Sequence, residues 1–547
     1  MLPQNTPLQG AAQTAAAPIR VLALTGILSE AQLHDFARNF SSNFGHAIDT
    51  TTLDRSLQPL LPDVLADDRD ASHFFFVEAG MTINFLNTLL DEQNPRRALP
   101  TMGGASGQTI AGAFSTGTHG GDFDRPPLAD AVRAIYLVGA GGVHHWIEPA
   151  AHITDPARLR RVFPCLADTI HYDDDMFRAT LVSIGAMGVI YAVILRVVPQ
   201  YSLLQWNRWS TWETFKAEAS PNAFANFFNG TWTGLRDFLR AHPGFGNPPN
   251  RFAQVVVNPI PNQDGSHNCY VSNRAEVPLQ GKQGVTPLEN STDVSGDDIR
   301  DAITNSPEFG FHEGLNFHFH GPSSEGSALD QLLALLAFCK DNNYPWAVRA
   351  VTDLVMRKTF PLPGVPPDPT IDVGYKVMAG GGTARTFPTL GGTSVESAFS
   401  FFPQVPSLDQ PGLQVVVPDV ISFVDTVLTA FDQGVASDSK RFPAGWLSLR
   451  VTGRTIAYLG MERFDPSGMV EVSLIGRPDG AGLVRLVEQL TRTEGGALHW
   501  GQSNGMLRLI DLESTYGNAR VDSWRAVQRA LGGDTFTNLF MRRCGLA

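Results

Sequence analysis

Between Leu99 and Gly142 the chain reads LPTMGGASGQTIAGAFSTGTHGGDFDRPPLADAVRAIYLVGAGG, and no other stretch restricts its fold so strongly. The first half is dense in Gly, Ser and Thr. Small residues in that number let backbone approach a ligand or another segment closely, and each glycine permits angles that other residues resist. From Gln108 to Gly121 the small side chains leave several backbone N–H groups free to face a polar or anionic group. The apolar run Ala134 to Val138 then has the length and branching of a buried strand. A glycine-rich loop feeding a buried strand is the outline of a ligand cradle.

Gly139-Ala-Gly-Gly142 imitates a dinucleotide-binding crossover, because it follows a strand. That crossover needs a helix to open directly after the glycines, with its N-terminus toward a pyrophosphate. Here Val143-His-His-Trp-Ile-Glu-Pro149 follows and reads as another short strand ending at proline. The Rossmann reading, and with it a nicotinamide dehydrogenase, is rejected.

Gly107 to Gly120, Gly-Gln-Thr-Ile-Ala-Gly-Ala-Phe-Ser-Thr-Gly-Thr-His-Gly, resembles the FAD signature of the vanillyl-alcohol oxidase (PCMH-type) flavoproteins. Within them it is nearest the aldonolactone and alditol oxidase branch. The resemblance implies an α+β fold in which a discontinuous PCMH-type FAD-binding domain carries an α+β cap domain for the substrate. It places flavin contacts at Gly104, Gly107, Gln108, Thr109, Ile110, Gly112, Ala113, Ser115, Thr116, Thr118, His119 and Gly120. Ala179 to Pro199 resembles a second flavin-contacting segment, with Gly185, Gly188, Val189 and Ile190 at its matching positions.

The bulk properties agree with a folded protein of more than one domain. The chain has 547 residues, too many for one compact core. Its net charge of −13 argues against nucleic acid or an anionic membrane as partner. Cys165, Cys269, Cys339 and Cys544 are scattered without a C-x-x-C pair, which suits a reducing compartment and no structural zinc. No secretory signal is visible, and the most apolar window, Leu181 to Val198, reads as two buried strands joined by a glycine turn rather than a membrane span. A cytoplasmic location is expected.

Taken in order, residues 1–19 read as a disordered leader. Arg20 to Glu30 stands where the family holds the FAD pyrophosphate, but Thr25 and Ile27 flank Gly26 where glycines are expected. The expectation is that either the chain start is truncated or altered relative to the family, or the pyrophosphate is held more weakly than in relatives. Without a His or Cys in that loop, the FAD is expected to be non-covalent. His46 to Leu53 and His73 to Ala79 read as strands, and Thr82 caps a helix to Glu92 on the spacing of Ile83, Leu86 and Leu90. The FAD-binding domain is assigned to 20–200, the cap to 201–490 and a returning C-terminal segment to 491–547.

Within the cap, Gln280 to Asp301 reads as an exposed loop and Leu329 to Asp341 as a helix. His312, His318 and His320 form the densest histidine cluster, with His318 and His320 on one strand face, but no third ligand is assured and no metal is assigned. Gly445 to Gly453 reads as a strand with Arg450 at its centre. The resemblance implies that Arg450 sits beside the flavin, two residues after a position where the branch carries glutamate and this chain has Ser448. Ala497-Leu-His-Trp-Gly-Gln502 resembles a His-Trp-x-Lys motif near the flavin, with Gln502 in place of the lysine. Trp524 to Phe540 resembles a terminal helix and turn that dock back on the FAD domain.

The activity implied is FAD-dependent oxidation of an alcohol-type small molecule, a polyol, sugar or aldonolactone, with oxygen or another acceptor taking the electrons. Arg450 stabilises reduced flavin, His499 orients the substrate hydroxyl or acts as base, and Gln502 bonds substrate or flavin. A flavin-free, non-catalytic descendant is the alternative that the altered first loop leaves open.

Overall fold

In the computed structural model, the strands on either side of the glycine-rich stretch belong to one sheet. The structure describes residues 53–104, 106–166, 168–218, 239–241, 243–246, 248, 250–279, 296–309, 336–359, 370–378, 392–406, 412–437, 441–475 and 479–547. The leader, the loop around Gly26, all but the last residue of the strand expected at 46–53, and the histidine cluster at 312–320 lie outside the described residues.

The first sheet contains β1 (Phe74–Glu78), β2 (Val132–Val138), β3 (His144–Glu148), β4 (Ile170–Tyr172) and β5 (Val189–Arg196), in the order β1-β5-β2-β3-β4. Its neighbours are antiparallel except β3 and β4. β2 and β5 are apolar in both directions because both faces are covered. Ile135, Leu137 and Val193 point to one core, while Ala134, Tyr136 and Ile194 meet Phe76 and Trp146 in another.

Between β1 and β2 lie helices α1 (Ile83–Asp91) and α2 (Ile110–Ser115). Thr82 Oγ1 accepts from the Phe85 N–H at 3.4 Å and Thr109 Oγ1 from the Gly112 N–H at 3.2 Å, so each helix starts at a threonine cap. After β2 a single 3-10 turn at Ala140–Gly142 leads straight into β3, and no α-helix opens at the glycines.

The apolar run from Ala179 corrects the hairpin expectation. Its first residues end helix α3 (Asp174–Leu181), and the long strand β5 follows, then a two-residue strand, Val198–Pro199, that pairs with Arg97–Ala98 rather than with β5. Asp173 caps α3 by accepting from the Met176 N–H at 2.7 Å, and Asp174 and Asp175 favour its positive N-terminus. The stretch expected as a loop to Asp301 also ends in a helix, Gly296–Thr304, which buries Ile303. Residues 336–340 are helical, within the helix expected at 329–341.

The second sheet contains β6 (Tyr201–Thr211), β7 (Asn250–Val257), β8 (Asn268–Pro278), β9 (Thr370–Val373), β10 (Gly392–Ser400), β11 (Gly445–Thr452), β12 (Ser467–Ile475) and β13 (Ala497–Leu498). Its order is β9-β6-β8-β7-β11-β12-β10-β13, antiparallel throughout. Alternation along these strands separates two faces. Helix α4 (Pro345–Thr359) covers one end of one face, where Met356 meets Val256, Tyr270 and Trp446. Helices α5 (Val420–Ala436) and α6 (Ala481–Thr493) cover the other, burying Val255, Leu447, Leu449, Val470 and Val472.

Near the C-terminus, helix α7 (Asn518–Leu531) packs on α3. Trp524 Nε1 donates to the Val182 carbonyl at 3.0 Å and Gln528 Nε2 to that of Ala186 at 3.3 Å, so the end of the chain closes over the first sheet. Among the described residues no helix is long and apolar enough to cross a membrane.

Candidate active site

The glycine-rich loop divides into residues that serve the protein's own packing and residues that face open space. Ile110 and Ala113 are the buried side of α2 and anchor it in the core. A Cβ on Gly120 would lie 2.1 Å from Thr101 Oγ1, and one on Gly121 2.2 Å from the Phe252 ring, so these two positions are small because neighbouring segments touch them. Gly104 and Gly117 have nothing within 4 Å of a would-be Cβ, and Gly117 also has a φ of +83°. Gly104, Gly107, Gln108 and Gly112 are exposed, Thr109 and Thr116 half-buried, and Ser115 and Thr118 buried. Gln108 Oε1 accepts from Thr118 Oγ1 at 3.4 Å and ties the two ends of the loop. Gly188, with a φ of +148°, approaches the Val138 carbonyl so closely that a Cβ would lie 2.5 Å from it; Val189 and Ile190 begin β5 beside β2.

The loop delivers His119 to the face of the second sheet opposite α5 and α6. His119 Nδ1 lies 2.6 Å from the Gly120 carbonyl and Nε2 lies 2.7 Å from Glu396 Oε1. Both partners can only accept, so the ring is an imidazolium. Burial opposes that charge, but the Glu396 carboxylate outweighs it and raises the pKa above 6.5. Burial likewise works against the charge of Glu396, and His119 and Arg450 overcome it, holding this carboxyl well below its ordinary range.

Strand register assembles the rest. Ser448 faces Glu471 across β11 and β12, and Glu471 faces Glu396 across β12 and β10. The register thus sets a carboxylate directly opposite Ser448. Arg450 Nη2 bridges the pair, donating to Glu396 Oε1 at 3.0 Å and Glu471 Oε2 at 3.3 Å. Gln502 Nε2 bridges it from the other side, to Glu396 Oε2 at 3.4 Å and Glu471 Oε1 at 3.2 Å. Burial, and then the like charge of Glu396, push the Glu471 carboxyl up from 4.5. Arg450 Nε and Gln502 Oε1 are buried with no hydrogen-bond partner among the described residues.

Two further groups complete the centre. The Glu462 carboxyl is buried, its Oε1 has no hydrogen-bond partner among the described residues, and burial pushes its pKa up to about 7. Burial pushes His499 down to about 4, so this ring is neutral. His499 Nδ1 accepts the Gly501 N–H at 2.9 Å, which leaves the proton on Nε2, facing the Gly117 backbone. The His499 ring packs edge-on against the His119 ring, centroids 6.4 Å apart, on the segment that carries Gln502.

The structure brings His119, Arg450, His499 and Gln502 together, although 383 residues separate the first from the last (positions 119 and 502). Sequence reasoning missed Glu396, Glu471 and Glu462. The available signal was a single acid inside an otherwise apolar strand, as in Met469-Val-Glu-Val-Ser473.

No family model matches the chain. Over 127 residues, 23% of the chain, it is 31% identical to a putative D-arabinono-1,4-lactone oxidase of Neurospora crassa, covering 19% of that protein. It is 29% identical over 142 residues, 26% of the chain, to the D-arabinono-1,4-lactone oxidase of Yarrowia lipolytica, covering 23% of it. With the L-gulonolactone oxidase of Mus musculus it shares 31% identity over 129 residues, 24% of each protein. The matched stretch thus spans about a fifth to a quarter of these relatives. Among solved structures, a solvent-stable cholesterol oxidase superposes with a TM-score of 0.54 at 12% identity, over 91% of this chain and 85% of that one. The cholesterol oxidase from B. sterolicum gives 0.53 at 13% identity, over 86% and 81%.

The fold is that of the PCMH-type FAD-binding flavoproteins. In this flavoprotein fold the glycine-rich loop and the polar sheet face meet at His119 and Glu396. The curated relatives agree with the resemblance read from Gly107 to Gly120.

Proposed function

We propose that the chain is an FAD-dependent oxidoreductase that oxidises a CH–OH group of a small hydroxylated molecule, a polyol, sugar or aldonolactone. The observation that carries this reading is the buried cluster of His119, Glu396, Arg450, Glu471 and Gln502, with Arg450 Nε and Gln502 Oε1 left unpaired. Unpaired buried donors and acceptors cost about 1–3 kcal/mol each, which a bound polar group would recover.

The residues present fit FAD held without a covalent bond. Open space at Gly104 and Gly117 leaves room beside loop backbone. The exposed side of the loop, with Gly107, Gln108, Thr109, Gly112 and Thr116, would hold the cofactor together with Ser115, Thr118 and the segment Gly188-Val189-Ile190. Ile110, Ala113, His119 and Gly120 would contribute by fixing the loop. Bound FAD would supply a two-electron acceptor for the hydride of the carbinol carbon.

Glu471 is the candidate base. Its side chain is 26% exposed against 2% for Glu396, so it is the carboxylate a substrate hydroxyl can reach. Gln502 and Ser473 fix Oε1 and Arg450 fixes Oε2, which aims the carboxylate. Its raised pKa makes it a better proton acceptor than an ordinary glutamate. The hydroxyl proton passes to Glu471, the hydride leaves with its electron pair, and a carbonyl remains. Arg450 would supply a fixed cation to offset negative charge that builds up when the cofactor is reduced. The electrons would pass on to oxygen or another acceptor.

Anaerobic mixing with sorbitol, xylitol, D-arabinono-1,4-lactone and L-gulono-1,4-lactone tests the reading. Loss of visible flavin absorbance with at least one of them supports it. Absorbance unmoved by all four, and by D-gluconate and D-glucitol 6-phosphate as well, contradicts it.

A further inference from the structure

Arg274 lies on the same sheet face as the cluster and, among the described residues, pairs with no acidic side chain. It is 7% exposed. Its guanidinium stacks 3.9 Å from the Phe252 ring centroid, and Nε donates to Gln205 Oε1 at 2.7 Å. The nearby carboxylates are committed elsewhere. Asp122 receives Arg251 Nε at 2.7 Å, Arg251 Nη2 at 3.0 Å and Thr101 Oγ1 at 2.6 Å, and Glu276 receives Arg125 and Arg251. Among the described residues, Arg274 forms no ion pair and its terminal nitrogens have no hydrogen-bond partner.

An independent observation sits one position away on the same face. Ser272 is 2% exposed and its Oγ has no partner. It faces Gln254, which in turn faces Arg450 across β7 and β11. Ser272 therefore lies two strand spacings from Arg450, about 10 Å, and Arg274 sits two residues further along the same strand. Burial pulls the pKa of Arg274 down to about 10, so it is charged at neutral pH. Asp122 attracts Arg274 without touching it. A buried guanidinium with no ion-pair partner in contact is costly unless an anion completes it, and its planar fork suits carboxylate or phosphate oxygens.

We propose that Arg274 and Ser272 form an anion subsite that selects a hydroxylated substrate carrying an acidic group, a sugar acid or a sugar phosphate. The subsite rests on the oxidoreductase reading only for the fate of the bound molecule. The acidic group docks at Arg274 and Ser272, and the carbon chain extends toward Glu471 and Arg450. Neutral polyols lack the docking group.

Calorimetric titration of the full chain with D-gluconate, D-glucitol 6-phosphate and sorbitol tests the subsite. At least one anionic probe should bind about tenfold or more tightly than sorbitol, and Arg274→Gln should abolish that preference. Arg274→Lys, which keeps the charge, should retain part of it, and thermal unfolding of each variant checks that the sheet is intact. Gluconate binding alone identifies a carboxylate site, and glucitol phosphate binding alone a phosphate site. Sorbitol binding as tightly as both anionic probes, no binding of either anionic probe, or a preference that survives Arg274→Gln overturns the proposal. Flavin content is read in every sample. Colourless protein that keeps the preference would sink the oxidoreductase reading alone, and yellow protein without it would sink the subsite alone.

Discussion

The two faces of the second sheet are built from alternate residues of the same strands, and they obey different rules. On one face Leu447, Leu449, Val470 and Val472 are closed by α5 and α6 into a continuous apolar core. On the other, Ser448, Arg450 and Glu471 share their strands with those leucines and valines, and Glu396 joins them from β10. The apolar face gains stability by leaving water and asks little of exact side-chain identity. The polar face is buried too, yet it keeps orphaned groups at Arg450 Nε, Gln502 Oε1 and Ser272 Oγ. A face retained at that cost is built for something that binds there.

The largest effect is expected where the polar face is structurally committed. Glu396→Leu leaves the His119 imidazolium and Arg450 without their shared carboxylate and should cost about 3–5 kcal/mol in urea unfolding. A cost below about 1 kcal/mol would show that the pair does not hold loop to sheet. On the apolar face, Leu449→Ala should cost about 3 kcal/mol through its cavity while bound flavin stays unchanged. Loss of flavin in that variant would break the distinction between the faces.

Glu462 sharpens the comparison through pH. Its folded pKa of about 7 exceeds the ordinary 4.5, so folding favours the protonated carboxyl. That stabilisation is complete below about pH 4.5 and is lost as pH rises through 7. Glu462→Gln cannot ionise and should be more stable than the wild type by about 2–3 kcal/mol at pH 8, with the difference vanishing at pH 4.5. Equal stabilities at both pH values would show that Glu462 is not held protonated. The smallest effect is expected at Gln502→Lys. A cation beside Glu471 should lower its pKa, moving the acid limb of substrate-driven flavin reduction down by about one pH unit. An unmoved limb would remove Glu471 as base.

Local chemistry made much of the fold legible in the sequence. Thr82 and the spacing of Ile83, Leu86 and Leu90 gave α1, and the strand after Gly142 excluded the Rossmann crossover. Where an apolar run crossed an element boundary the reading failed, because Ala179 to Leu181 close a helix whose acidic start at Asp173 lies upstream of the run. The candidate site was half legible. Arg450, His499 and Gln502 belong to short motifs, whereas Glu396 and Glu471 are single acids that acquire meaning only when register sets them opposite each other. Pairing between strands that distant in sequence is not encoded in any local window. The same blindness hid Arg274, whose isolation is visible only once Asp122 is seen holding Arg251.

The most direct test of the central claim, that the polar face and the glycine-rich loop hold a flavin, is the visible spectrum of the purified chain before and after acid precipitation. Yellow protein that releases its flavin to the supernatant is the predicted result. Colourless protein that takes up no added FAD would contradict the account, and flavin that stays with the pellet would contradict the non-covalent attachment.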